Sequence, residues 1–161
     1  MMTSTPHHEK YMRMALDEAQ KALDKGEVPI GAVVVCHGKP QTDTDRDSSN
    51  DRVIARAHNL TETLIDATAH AEMQAITMAA SALGGKYLTQ CTLYVTVEPC
   101  VMCAGAIGWA QIPQVVYGCR DDKRGFLTYA PQALHPKADV VGGILEEECR
   151  QLMQEFFRQR R

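Results

Sequence analysis

The chain is 161 residues long, 45% hydrophobic and 23% charged, which suits a single domain with one ordinary core. No apolar run approaches the roughly 20 residues of a membrane span, and the start MMTSTPHHEK has no apolar stretch behind a basic end, so a cytoplasmic chain is expected, with neither membrane insertion nor secretion. A net charge of −3 argues against broad polyanion binding, and six cysteines in such a chain point to metal binding or catalysis before disulfides.

In chain order, Tyr11, Ala15, Ala19, Ala22 and Leu23 recur at helical spacing, with Thr5 as N-cap, Pro6 in the first turn and Gly26 as the stop. VPIGAVVVC, Val28 to Cys36, is β-branched and nearly uninterrupted, and reads as a buried strand. The polar, aperiodic stretch from His37 to Arg52 reads as a long loop, and Val53 to Ala57 as the returning strand of a hairpin. A second helix is expected over Ala69 to Leu83, with Ala71, Ala75, Met78, Ala79 and Ala82 on its apolar face and Gly84-Gly85 ending it. Cys91 to Val97 reads as a strand, Val101 to Ala110 as a helix, Ile112 to Gly118 as a short strand, and Cys119 to about Leu134 as a loop. A short strand near Asp139 to Val141 precedes a last helix, Ile144 to Arg161, with Leu145, Cys149, Leu152, Met153 and Phe156 on one face. Strands alternating with helices predict an α/β fold of three layers, αβα, whose central mixed sheet of about five strands is flanked by helices. One domain, residues 1–161, is expected.

Two short motifs carry chemistry. In EPCVMC, Glu98 to Cys103, Pro99 suits a helix entrance, so Cys100 and Cys103 fall in or beside the first turn and share a face. The free N–H groups and positive dipole end there favour thiolates, which suits zinc. TAHAE, Thr68 to Glu72, puts His70 at the start of the preceding helix. If the two helix starts converge, an imidazole and two thiolates make three ligands; catalytic zinc keeps three protein ligands and a water, whereas structural zinc closes with four. Glu72, two positions from His70, does not share its helix face. It is poorly placed as a ligand and well placed to move a proton between water and a substrate atom. A redox cysteine pair, or a structural zinc closed by Cys91, Cys119 or His58, are the competing readings. Basic residues cluster at Arg158, Arg160 and Arg161, and at Lys123 with Arg124; such patches either meet a polyanion or are solvated helix and loop ends.

H-x-E followed by P-C-x-x-C is the signature of the cytidine/nucleobase deaminase superfamily. VPIGAVVV, His58-Asn59, TAHAE, EPCVMCAGAI, VVYGCRD and ECRQLMQEFFRQRR together resemble the bacterial tRNA-specific adenosine deaminases over most of the chain. The resemblance implies a cytidine-deaminase-like fold and one zinc per chain on His70, Cys100 and Cys103. It gives Glu72 the proton transfer, Asn59 a hydrogen bond to a flipped base, the backbone beside Ala71 a part in orienting that base, and Asp121 a place near the nucleic acid. The reaction implied is hydrolytic conversion of adenosine to inosine at the wobble position of a tRNA anticodon stem-loop, through attack at C6 and loss of ammonia, by a homodimer. The runner-up is a deaminase of a free nucleobase or nucleoside, guanine or cytosine. The third reading is a non-catalytic zinc- or nucleic-acid-binding module, against which Glu72 argues. Two stretches depart from the family pattern: Phe126 to Ala130 replace small residues, and the loop from His37 to Arg52 is long. Both are expected where substrate contacts are made.

Overall fold

The structure, a computed structural model, describes residues 5–38 and 50–160. Residues 39–49, the middle of the long polar stretch, and Arg161 lie outside the described residues. Helix α1 (Thr5–Asp24) buries Tyr11, Met12, Ala15, Ala19 and Ala22, and Thr5 is its first helical residue, not its cap. Strand β1 (Gly31–His37) starts three residues later than the β-branched run suggests. Pro29 has no N–H to give to a ladder, and Ile30 N donates to Val28 O in a turn. Gly31 also marks where α1 touches the sheet: a Cβ there would stand 1.9 Å from the backbone oxygen of Ala15.

Strand β2 (Asp51–His58) returns as the hairpin partner of β1. Helix α2 (Ala71–Leu83) starts two residues later than expected, because His70 is extended, and it ends at Gly84, whose φ of +68° few residues but glycine tolerate. Its buried stripe is narrow: Ala71, Glu72, Ala75 and Ala79 are covered, whereas Met78 and Ala82, expected on the apolar face, are exposed. Strand β3 (Cys91–Val97) and helix α3 (Val101–Trp109) follow as expected. Strand β4 (Gln114–Cys119) begins after Pro113, the residue without a ladder donor. The expected loop after it contains a one-turn helix, α4 (Phe126–Tyr129), pinned by the fully buried Phe126. Strand β5 (Asp139–Val141) and helix α5 (Glu146–Gln159) close the chain, with Cys149 and Phe156 buried and Leu152 and Met153 half-buried.

The sheet runs β2-β1-β3-β4-β5. β1 is antiparallel to both β2 and β3, and β3, β4 and β5 are parallel, so the sheet is mixed, as expected. Side-chain alternation covers both faces. Ala32, Val34, Leu93, Val95 and Val115 join α2 and α3 residues in one core. Val33, Val35, Tyr94 and Val116 join α1 and α5 residues in the other. The result is three layers, helices on each side of one sheet. At one end of the sheet His37 binds Asp51 Oδ1 at 2.8 Å and Thr92 Oγ1 at 2.7 Å. The long polar stretch leaves and re-enters the fold at this end.

Candidate metal and active site

Because β2 and β3 are both antiparallel to β1, they run parallel to each other, and their C-termini emerge at the same end of the sheet. The segment after β2 leads to His70 and α2; the segment after β3 leads to Cys100 and α3. Topology therefore delivers two helix N-termini to one place, opposite the end closed by His37 and Asp51. Cys100 occupies the N-cap position of α3 and Cys103 its first turn, while His70 occupies the N-cap position of α2. Neither N-cap residue, His70 nor Cys100, caps its helix with its side chain, which leaves both heads available for other partners.

They point at each other. His70 Nδ1 stands 3.6 Å from Cys100 Sγ and 3.5 Å from Cys103 Sγ. Tetrahedral zinc with Zn–S near 2.3 Å and Zn–N near 2.05 Å sets its nitrogen and sulfur ligands about 3.6 Å apart. The residues present therefore fit zinc. Among the described residues, the group of mutually close His, Cys, Asp and Glu ligand atoms is these three and no more. Of the expected alternatives for a fourth ligand, His58 Nδ1 is 3.0 Å from Glu18 Oε1, Cys91 sits opposite Cys36 in the sheet, and Cys119, although it lines the cleft, is not in the group of mutually close ligand atoms. The geometry is that of a three-ligand, open site. Hydrogen bonds from Cys103 and His70 pull Cys100 down to about 4 against the opposing effect of burial, a pKa at which the thiolate is the resting form. The same contact with Cys100, then burial, pushes Cys103 above its ordinary range, and Cys100 raises His70.

Glu72 is 3% exposed and lines the same cleft, of about 640 Å³, as His70, Ala71, Cys100 and Asn59. Burial pushes its carboxyl up to about 7, against its own backbone N–H, which lowers it. A carboxyl poised near neutrality both accepts and gives a proton, which general acid–base work needs. Asn59 is 5% exposed, and its Oδ1 has no hydrogen-bond partner among the described residues. An orphaned buried acceptor is costly, and here it faces a cleft. The preceding His58 is fixed from both sides: Nδ1 meets Glu18, Nε2 lies 3.0 Å from Lys25 Nζ, and its carbonyl accepts from Gln74 Nε2 at 2.8 Å. Asn59 N in turn donates to Ile30 O at 3.0 Å, so the asparagine is held in place by its backbone and its neighbour.

Asp121 also lines the cleft, but its carboxylate is occupied, accepting from the backbone N–H groups of Lys123 and Arg124 at 3.0 Å each. Lys123 and Arg124 stand at the cleft. Arg158 does not; it pairs with Glu155 and lines a separate groove between α1 and α5. Arg160 folds back onto the carbonyl of Gly26 and over the Phe156 ring. Arg158 and Arg160 are thus engaged at the end of α5, away from the cleft. Two residues that sequence reasoning passed over also matter here. Glu98 is a buried carboxylate under the cleft floor, and Glu27, fully buried, ties down the segment after β2 through Thr61, Glu62 and Thr63. A charged residue at the end of an otherwise fully buried strand was the available signal for Glu98.

Of the two stretches that depart from the family pattern, Phe126 to Ala130 follows the cleft-lining Arg120 to Arg124, with Phe126 N donating to Pro99 O, but is not itself among the cleft-lining residues, whereas the described ends of the His37–Arg52 stretch lie at the other end of the sheet. Among the described residues no helix is long and apolar enough to cross a membrane.

Over residues 6–161 the chain matches the MafB19-like deaminase family. The tRNA-specific adenosine deaminase of Bacillus subtilis (strain 168) is 45% identical over 158 residues, which cover 95% of this chain and 90% of that protein. A solved structure from biochemical and structural studies of A-to-I editing by tRNA:A34 deaminases at the wobble position of transfer RNA matches with a TM-score of 0.76 at 41% identity, covering 89% of this chain and 98% of that one. A Bacillus subtilis guanine deaminase matches with a TM-score of 0.59 at 36% identity, covering 70% of this chain and 64% of that one.

Proposed function

The chain belongs to the MafB19-like deaminase family, and from that premise we infer a zinc-dependent hydrolytic deaminase that converts adenosine to inosine at the wobble position of a tRNA. The observation that carries the reading is the S···N triangle of 3.5 and 3.6 Å with a buried, unliganded carboxylate beside it. The Bacillus subtilis relative, over nearly the whole of both chains, supports adenosine in tRNA as the substrate.

His70, Cys100 and Cys103 hold one zinc per chain. When bound, zinc supplies Lewis acidity that makes water nucleophilic near neutral pH. Glu72 takes one proton from the attacking water and passes it to the ring nitrogen beside C6, then takes the second proton of that water, now on the C6 oxygen, and gives it to the departing amino group, which leaves as ammonia. The net reaction is adenosine plus water to inosine plus ammonia. Oδ1 of Asn59 accepts a hydrogen bond from the base, and the backbone beside Ala71 borders it; the target nucleotide reaches this cleft by leaving its stack. Asp121 acts by shaping the turn that carries Lys123 and Arg124. Those two cations, with Arg120 and Arg150, ring the mouth and give an acidic protein a local surface for RNA.

A homodimer is supported by the exposed face of α3, where Trp109 is 85% and Val101 44% exposed. A cytoplasmic location suits such a substrate. Deamination of free guanine is the second reading, favoured by the likeness to the guanine deaminase. Incubation with an anticodon stem-loop bearing wobble adenosine, and separately with guanine, cytosine and adenosine, decides between them. Inosine in the stem-loop alone is the expected result; ammonia from free guanine with unchanged RNA overturns it.

A further inference from the structure

Glu98 is built into the protein in an unusual way for a carboxylate. Its side chain is fully buried, and it accepts from Arg120 Nε at 3.3 Å, Asp121 N at 3.1 Å and Leu127 N at 3.0 Å. The loop after β4 is folded around it so closely that a Cβ on Gly125 would stand 2.1 Å from Oε2. The same loop is stitched to the metal-ligand segment, with Phe126 N donating to Pro99 O at 2.9 Å and a bridge between Cys100 and Gly125. The anchor therefore belongs to the rigid part of the site.

Arg120 is what this anchor presents. Only its Nε is engaged; among the described residues its two Nη groups have no partner, and the side chain is half exposed at the mouth of the cleft that holds His70, Glu72 and Asn59. Of the other two guanidiniums at the mouth, Arg150 is taken up by Glu146 and Glu147, and Arg124 has no carboxylate to hold it in place among the described residues. A guanidinium tied at Nε and free at both Nη groups is a pre-set fork, the geometry that grips a phosphate through two parallel bonds. A free base carries no phosphate, so such a fork distinguishes a nucleotide within a strand from a base alone.

We propose that Arg120 grips a backbone phosphate beside the target nucleotide, with Glu98 as its positioning residue, and that this contact selects polynucleotide over free base. The proposal rests on the tRNA reading above. The test compares the wild-type protein with Arg120→Gln, Arg120→Lys and Glu98→Gln on the wobble-adenosine stem-loop at several salt concentrations, with zinc content and melting checked for each. Arg120→Gln is expected to raise KM about tenfold with kcat within about twofold. It also lowers the slope of log KM against log salt by about 0.7, one phosphate's worth on a single strand. Arg120→Lys keeps that slope and raises KM severalfold, because the charge stays and the fork goes. Glu98→Gln raises KM in the wild-type background and not in the Arg120→Gln background. Unchanged KM and salt slope in Arg120→Gln, or a fall in kcat alone, overturns the assignment of Arg120. Equal effects of Glu98→Gln in both backgrounds overturn that of Glu98. A wild-type protein that leaves the stem-loop unchanged removes the tRNA reading and this inference together, whereas an active wild type with an indifferent Arg120→Gln removes this inference alone.

Discussion

Nδ1 of His70 and Sγ of Cys103 stand 3.5 Å apart although 33 residues separate them in the chain. That spacing suits two ligands of one tetrahedral ion. The protein is expected to hold about one zinc per chain, and His70→Ala or Cys103→Ser to lose it together with several degrees of melting temperature, since metal binding adds to folding free energy. Atomic emission on dialysed protein, with melting curves before and after chelation, reads both. A Cys103→Ser variant that keeps a full equivalent of zinc would show that the triangle is not the metal site.

Glu72→Gln is expected to keep zinc and fold while slowing turnover by about 10² to 10⁴, the usual worth of a positioned general acid–base. Removing a buried carboxyl that pays for its own desolvation should leave the melting temperature unchanged or slightly raised. Activity within tenfold of wild type would take the proton transfer away from this residue.

Asn59→Ala separates binding from folding. The buried Oδ1 has no partner in the protein, so its removal should cost stability less than about 1 kcal/mol. Turnover should suffer far more, with kcat/KM falling about tenfold to a hundredfold through loss of a buried hydrogen bond to the base. A large loss of stability with intact kcat/KM would assign the side chain to the fold.

Glu27 gives the acid response a named source. Burial pushes its carboxyl up, but hydrogen bonds from Thr63, from the backbone of Glu62 and Thr63, and from Thr61 outweigh it, and the net shift is downward from 4.5. The folded state therefore binds fewer protons than the unfolded chain in the window just below pH 4.5. The contribution is present above that pH and is lost as pH falls through the depressed folded value. Glu27→Gln should lower stability at pH 7 by about 1–3 kcal/mol, the scale of hydrogen bonds to a buried charge. It should also flatten the fall in stability between about pH 5 and 3. Denaturant midpoints at pH 7, 5, 4 and 3 for both proteins test this; parallel curves would refute it.

The elements and the candidate ligand set were legible because both leave a local mark in the sequence. Cys91 to Val97 is read correctly because seven apolar or β-branched residues in a row have one common fate, burial on both faces. His70, Cys100 and Cys103 stand out because two short motifs of metal-binding residue types begin two helices, and the structure brings the three side chains together. Less legible were features that depend on contact between distant segments. Val28 to Ile30 carry strand-like side chains, but Pro29 and the approach of α1 at Gly31 delay the ladder. Met78 fits the helical stripe of α2, yet it is Ala71, Ala75 and Ala79 that are fully buried there, and the methionine is left outside. Glu98 and Glu27 look like ordinary surface acids until the loops that close over them are seen. The orphaned Oδ1 of Asn59 is an absence, and no pattern of residues displays it.

The hairpin of β1 and β2 has one further consequence. Its seven-residue first strand sets the chemistry at Gly31 and Asn59 roughly 20 Å from the turn end at His37 and Asp51. Length is thus free to vary at one end while the other stays under chemical constraint, and the sheet acts as an insulator between the two. An inserted passenger domain between Gly38 and Asn50 should leave zinc content and kcat untouched, so the long polar stretch is a natural place for the fold to acquire new attachments without disturbing its old reaction.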